Sequence, residues 1–409
     1  MREEGSKMAK YRNYLVLGIL LLVCTVCMVP ACGSKTKTEK IDELVERYKE
    51  FGDFNGCLLV VEDGKVIYEE VHGIANIETG ESLTVEHRFR LASVSKQFTA
   101  MAIMVLKEQG TLSYDDEIKE FIPELPYENI TIRHLLTHSS GLPAYTSLLD
   151  EYWDPEHKES EEREIASNDD ALAFLIEYKP PVNFKPGEKH SYCNTGYNLL
   201  AVIVERVSGM TFQDFLKEHI FGPAGMDNSF VNDPSGILPE EKRARGFKPK
   251  PDRTGFVMSD FHYQNGMYGD GGIYATIEDM YRWEMALQTG KLVSGSTLEE
   301  VFSPSKLNDG TNVDYGFGWS IIDSDVGRVV AHGGGWLGFT AFIFGTLSTR
   351  MQLFSSVICR GFTRAHLLLP FSIYCMERNT NSPGGRLPKS SLSSFTTRIF
   401  SRWSSITES

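Results

Sequence analysis

Arg90-Leu91-Ala92-Ser93-Val94-Ser95-Lys96-Gln97-Phe98 places a serine three residues before a lysine at the head of an apolar run. Phe98, Met101, Ala102, Met104 and Val105 follow at helical spacing, and Gly110 supplies a stop. If a helix begins at Ser93, Lys96 lies one turn further along the same face, where an amine can help deprotonate the hydroxyl. Ser-x-x-Lys occurs three times in the 409 residues, at Ser34/Lys37, Ser93/Lys96 and Ser303/Lys306. The first sits in a polar stretch after an apolar segment and the third encloses Pro304. Only the second has the setting an activated serine requires.

A nucleophilic serine also needs a base, oxyanion donors and a substrate contact. Tyr192-Cys193-Asn194 offers two of these. A tyrosine beside Lys96 is expected to have a lowered pKa and to serve as general base toward Ser93, while Asn194 presents an amide to a substrate. Tyr-x-Asn alone is weak, since it recurs at Tyr11, Tyr127 and Tyr263, where a packed core tyrosine is the simpler reading. His332-Gly333-Gly334-Gly335 closes a predicted strand, and the Gly335 and Ser93 N–H groups could together form an oxyanion hole. A glycine-rich strand end is equally often a plain turn.

In the order Ser93-x-x-Lys96, Tyr192-x-Asn194, His332-x-Gly334, the three motifs resemble the signatures of the serine β-lactamase and penicillin-binding-protein superfamily. The class C-related branch is most similar, through Thr131 to Pro143, Asn194-Thr195-Gly196-Tyr197 and Gly271-Gly272-Ile273-Tyr274-Ala275-Thr276. The resemblance runs from about Ile41 to Phe344. It implies an acyl-enzyme on Ser93, with Lys96 as proton partner and Tyr192 as general base. Asn194, His332, Gly334 and Gly335 would meet the substrate, and no metal or organic cofactor is implied. Class C β-lactamases carry lysine where this chain has His332, and histidine is only partly charged near neutrality. That favours an esterase or peptidase over antibiotic hydrolysis. Cys193 stands where a small Ser or Ala is usual, and reads as a packing residue.

The order along the chain is strands, a helical block, then strands. Cys57–Val61 and Lys65–Tyr68 flank the hairpin signal Asp63-Gly64. Ile132–His138, Ala171–Tyr178, Tyr197–Val207, Phe212–Ile220 and Thr276–Gln288 read as helices, and charged Asp150–Asp170 as a solvated loop or insertion. Tyr315–Ile322, Gly327–His332 and Phe339–Phe344 read as strands, with Met351–Ile358 a candidate last one. The expected fold class is α/β (α+β): a mainly antiparallel sheet flanked by terminal helices, with an inserted helical region, β-lactamase/transpeptidase-like.

The domain reading has four parts. Basic Arg2, Lys7, Lys10 and Arg12 precede the apolar stretch Tyr14–Ala31, which ends in small residues before Cys32. Residues 1–32 therefore resemble a bacterial lipoprotein signal with Cys32 as the lipidated residue; the alternative is an uncleaved signal anchor. Both put the enzyme in the cell envelope, outside the cytoplasm. Residues 33–40 read as a polar tether and 41–375 as the catalytic domain. Residues 376–409 form a Ser/Arg-rich tail, either divergent or the product of a reading-frame shift near Phe344.

Forty-one basic against 55 acidic residues give a net charge of −14, and no basic cluster favours nucleic acid as a partner. The partners expected are a small-molecule or peptide substrate, including cell-wall peptide, and the membrane through the anchor. The seven cysteines form no zinc or disulfide framework. His134 and His138, four apart, lack the H-E-x-x-H setting of a metal site. A hydrolase of small esters, amides or D-amino-acid peptides is the leading function. A D,D-carboxypeptidase, a β-lactamase, or a non-catalytic penicillin-binding-like sensor are the alternatives.

Overall fold

The structure is a computed structural model that describes residues 35–50, 54–153, 165–232, 241–252, 254–324, 327–346 and 351–358. Cys32, the signal segment and the tail lie outside the described residues. The chain divides into two compact units, Met1–Asp42 and Glu43–Ser409. The helix Lys37–Glu50 begins in the first unit, inside the stretch expected to be a tether, and runs on into the second. The cause is local. Thr36 Oγ1 accepts from the Glu39 N–H at 3.2 Å, and the Glu39 carboxylate accepts from the Thr36 N–H at 2.7 Å, a reciprocal cap that starts the helix early.

In the second unit the main sheet is antiparallel throughout. Its strands are β1 (Gly56–Glu62), β2 (Lys65–His72), β3 (Ser320–Ser324), β4 (Gly327–Trp336), β5 (Phe339–Thr346) and β6 (Met351–Ile358), in the order β3-β4-β5-β6-β1-β2. The N-terminal hairpin is thus zipped onto the C-terminal strands through β1 and β6. Strand β1 (GCLLVVE) is buried on both faces up to its last residue, which is why it reads as an unbroken apolar run. Edge strand β2 mixes exposed and buried positions. Asp63 (φ 49°) and Gly64 (φ 73°) turn the hairpin with two positive φ values, as a two-residue turn matching strand twist requires.

The helical region lies between β2 and β3 in sequence. Its centre is the helix Lys96–Glu108, buried from Lys96 to Leu106, packed beside the helix Asn194–Ser208. Phe98 packs on Trp283 with ring centres 4.2 Å apart and planes tilted by 33°, and meets Phe221 at 5.8 Å, tying this helix to the helix Ile277–Thr289. Burying Phe98 alone contributes roughly 2–3 kcal/mol.

Five local expectations are corrected. The chain enters the Lys96 helix through a 3-10 turn, Ala92–Ser95, rather than from Ser93 directly. The stretch Asp150–Asp170 is not one solvated loop: Asp150 ends up in the helix Tyr145–Tyr152, and Asn168 opens the helix Asn168–Tyr178 under a Ser167/Asp170 capping box. Phe212–Leu216 passes into a π-helical turn, Lys217–Phe221. Tyr315–Trp319 is not strand, because Gly318 (φ 80°) folds it against the start of the Lys96 helix. Finally, β4 does not stop at His332. It continues through the three glycines to Trp336, and the turn is made by Leu337 (φ 50°) and Gly338.

Candidate active site

Ser95, Lys96 and Thr99, at the helix entrance beside Ser93, together grip the segment Gly269–Ile273. Thr99 Oγ1 donates to Gly269 O at 2.6 Å, Lys96 Nζ to Asp270 O at 2.7 Å, and the Ile273 N–H to Ser95 Oγ at 3.2 Å. Ser95 and Thr99 thus hold in place the turn behind Ser93. Ala92 holds a positive φ of 47°, a conformation that costs an L-residue roughly 1–2 kcal/mol and sets the chain direction at Ser93.

Lys96 is fully buried, and its Nζ makes three contacts: Ser93 Oγ at 3.2 Å, Asn194 Oδ1 at 2.8 Å and Asp270 O at 2.7 Å. Burial lowers its pKa from 10.5 to about 8, with the Asp270 carboxylate pulling the other way. That drop is worth roughly 3 kcal/mol against the charged form. Two of the three contacts are carbonyl oxygens that only accept. A neutral lysine has two N–H groups for them and a lone pair left for the Ser93 proton.

Tyr192 behaves differently from the expectation. Its pKa is raised well above 10, because burial outweighs the Ser93 hydrogen bond that lowers it. Its hydroxyl is buried beside Ser93 without a well-formed hydrogen bond, and the Lys96 ammonium lies 4.9 Å from its ring centre, over the face rather than at the oxygen. Cys193 packs inward. Its thiol donates to Leu142 O at 3.4 Å, and burial pushes its pKa up, so it is no nucleophile. Asn194 turns its oxygen to Lys96 and lines the cleft.

His332 is 1% exposed and does not line the cleft. Its Nδ1 donates to Gly333 O at 2.8 Å, which leaves Nε2 to accept from the Tyr315 hydroxyl at 3.0 Å. The Tyr315 oxygen accepts from His138 Nε2 at 3.2 Å, and His138 Nδ1 accepts from the Cys193 N–H at 3.2 Å. This relay and the nearby Lys96 charge hold His332 neutral, with its pKa lowered to about 3, mainly by burial. His138 follows a helix that ends at Leu136 and has φ 53°, while His134 serves in the Thr131 cap, so the two histidines do not share a helical face. Gly334 has no room for a side chain: a Cβ there would sit 2.3 Å from Leu91 O and 2.8 Å from Ser93 N. Glycine lets β4 press against the Leu91–Ser93 backbone.

The cleft has a volume of about 330 Å³ and is lined by Ser93, Asn194 and Gly335 together with Arg90, Tyr145, Asp270 and others. A groove of about 510 Å³ between the helices Ile277–Thr289 and Gly295–Val301 shares no lining residue with it. Sequence reasoning missed Arg90, Tyr145, Asp270 and Tyr315. Asp270 was within reach, since it directly precedes the Gly271–Thr276 stretch that carries the resemblance. Tyr145 and Tyr315 carry no motif.

The sequence pattern of the beta-lactamase family matches residues 39–356. Penicillin-binding protein 4* of Bacillus subtilis is 37% identical over 78% of this chain and 71% of its own length. A D-aminopeptidase of Brucella anthropi is 29% identical over 74% of this chain, which spans only 56% of that enzyme. The penicillin-binding protein of Bacillus halodurans superposes with a TM-score of 0.70 at 26% identity, over 82% of this chain and 99% of that one. The chain belongs to the beta-lactamase family, as a serine hydrolase related to the penicillin-binding proteins and D-aminopeptidases.

Proposed function

We propose that the protein hydrolyses small esters, amides or D-amino-acid peptides through an acyl-enzyme on Ser93, with Lys96 as the resident base. The observation that carries this is the three-point hold on a buried Lys96, which orients its lone pair toward Ser93 Oγ at 3.2 Å. Lys96 accepts the Ser93 proton as Oγ attacks the carbonyl carbon. The N–H groups of Ser93 and Gly335 receive the oxyanion. Tyr192, neutral in the free site, passes a proton to the leaving oxygen or nitrogen as that bond breaks. Water then attacks the Ser93 ester, the same groups run in reverse, and free acid and enzyme are regenerated. The D-aminopeptidase relative supports an acyl donor built from D-amino acids.

The test is a fluorophosphonate probe followed by peptide mass spectrometry. A single adduct on Ser93, absent from Ser93→Ala, is expected. Folded protein that takes up no probe at Ser93 would instead be a binding module. The reading also puts the enzyme in the bacterial cell envelope, anchored through a lipidated Cys32, given the apolar Tyr14–Ala31 stretch that precedes it. Incorporation of labelled palmitate, lost in Cys32→Ser, checks that part.

A further inference from the structure

His138 holds Tyr192 from three sides. Its backbone carbonyl accepts from the Ser191 N–H at 2.9 Å, and its ring Nδ1 accepts from the Cys193 N–H at 3.2 Å. Its ring packs against that of Tyr192, the centres 4.2 Å apart. One histidine thus fixes the residues on either side of Tyr192 and the face of its ring. Tyr192 depends on such a hold. It lies ahead of the helix Asn194–Ser208, outside any helix or strand, and its hydroxyl is buried without a well-formed hydrogen bond to anchor it.

The grip requires one protonation state. The Cys193 N–H can only donate and Gly333 O can only accept, so the hydrogen bonds between them run one way. The Cys193 N–H donates to His138 Nδ1, and His138 Nε2–H to the Tyr315 oxygen at 3.2 Å. The Tyr315 hydroxyl donates to His332 Nε2 at 3.0 Å, and His332 Nδ1–H to Gly333 O at 2.8 Å. Each imidazole has one proton and one lone pair, and both are used. A second proton on His138 would set an N–H against the Cys193 N–H. Burial, helped by the nearby His190, Lys96 and His332, keeps it off by holding the pKa of His138 well below 6.5. The far end of the chain, Gly333, stands in β4 just before Gly335, the proposed oxyanion donor. His138 and Tyr315 therefore tie the Tyr192 segment to that strand.

We infer that His138 is a positioning residue for Tyr192, and that Tyr315 keeps it in the tautomer this task requires. The inference deepens the function proposed above and rests on that reading. His138 is 1% exposed and does not line the cleft, so it acts through Tyr192 and not on the substrate. Its loss should be felt only where the leaving group needs the proton that Tyr192 passes on.

A comparison of kcat/KM for ethyl butyrate and p-nitrophenyl butyrate, with the full-length protein, tests this. Both esters put the same acyl group on Ser93, and kcat/KM reads the acylation step. Ethoxide must be protonated as it leaves, whereas p-nitrophenolate need not be. His138→Leu removes the acceptor for the Cys193 N–H and should lower kcat/KM about a hundredfold for the ethyl ester but less than about threefold for the p-nitrophenyl ester. His138→Asn should recover at least about tenfold of that loss, because its Oδ1 stands where Nδ1 stood and asparagine tolerates the φ of 53°. Tyr315→Phe, which strips the partner from His138 Nε2, should show the same split between the esters. Folding of each variant is checked by near-ultraviolet circular dichroism. Equal losses on the two esters, a loss below about threefold on the ethyl ester, or no recovery in folded His138→Asn overturns the inference. If the His138 variants do not fold, Tyr315→Phe decides. If no variant folds, or neither ester is cleaved, nitrogen-15 NMR of His138 in the unmutated protein decides: a proton on Nε2 upholds the inference and a proton on Nδ1 overturns it. Ser93 labelling is read separately. Labelling with equal losses on both esters rejects the role of His138 but leaves the hydrolase, and folded unmutated protein that takes up no probe rejects the hydrolase and this inference with it.

Discussion

Replacing Asp270 by asparagine should make Ser93 more reactive at neutral pH. Lys96 must be uncharged to accept the serine proton, and its pKa of about 8 leaves roughly one tenth of it neutral at pH 7 and nine tenths at pH 9. The labelling rate of Ser93 should therefore climb about tenfold from pH 7 to a plateau above pH 9. The Asp270 carboxylate holds the Lys96 charge in place, so removing it moves the rising limb to lower pH. The structural cost is small, because the Asp270 carbonyl still accepts from Nζ and an asparagine oxygen can still accept from the Tyr145 hydroxyl. Each pH unit of displacement is tenfold in rate on the limb, and the gain at pH 7 is capped at about tenfold, where Lys96 is wholly neutral. The assay is the second-order rate of fluorophosphonate labelling, followed by intact mass from about pH 5.5 to 9.5. A limb that stays in place or moves to higher pH in Asp270→Asn would refute Lys96 as the base, and so would a flat profile in the unmutated protein.

Other outcomes follow from the same geometry. Tyr192→Phe should slow turnover by roughly 10²–10⁴ and leave the limb near pH 8 where it is, which steady-state kinetics across pH will read; a displaced limb would make Tyr192 the titrating base. Gly334→Ala must push β4 away from Ser93, so kcat should fall by about a hundredfold while substrate binding changes less; an unchanged kcat would mean the strand yields elsewhere. His332 is neutral when folded down to about pH 3 but takes a proton near 6.5 when unfolded, so its share of stability is full above 6.5 and is lost as pH falls toward 3. That share is roughly 5 kcal/mol at most, and the melting temperature of His332→Gln should fall less steeply with acid than that of the parent.

Much of the sheet was legible because its strands announce themselves. The buried β1 run, the Asp63-Gly64 turn and the apolar β5 each obey a local rule. The misreadings fall where distant packing overrides a local signal. Three glycines in β4 read as a turn, yet they continue the strand, and the 91–93 backbone presses against Gly334 in their midst. Charged Asp150–Asp170 read as solvated, yet Asn168 is buried and donates to Tyr268 O at 3.1 Å. The helix Lys37–Glu50 starts ahead of the expected residue 41 for a local reason, since Thr36 and Glu39 spell a capping box.

The sequence by itself determined the serine, its lysine partner, the order of the three motifs and the family they signal. It also showed that histidine replaces the expected lysine at position 332. Only the tertiary structure decided what charge each of these groups carries. Lys96 titrates near 8, Tyr192 stays protonated and His332 stays neutral because burial penalises their ionised forms, and burial is a property of the assembled core. The same holds for the clamp on Lys96 and the hold of Asn265 on Arg90. Their partners Asn194, Asp270 and Asn265 lie 98, 174 and 175 residues away, and no local pattern encodes that convergence.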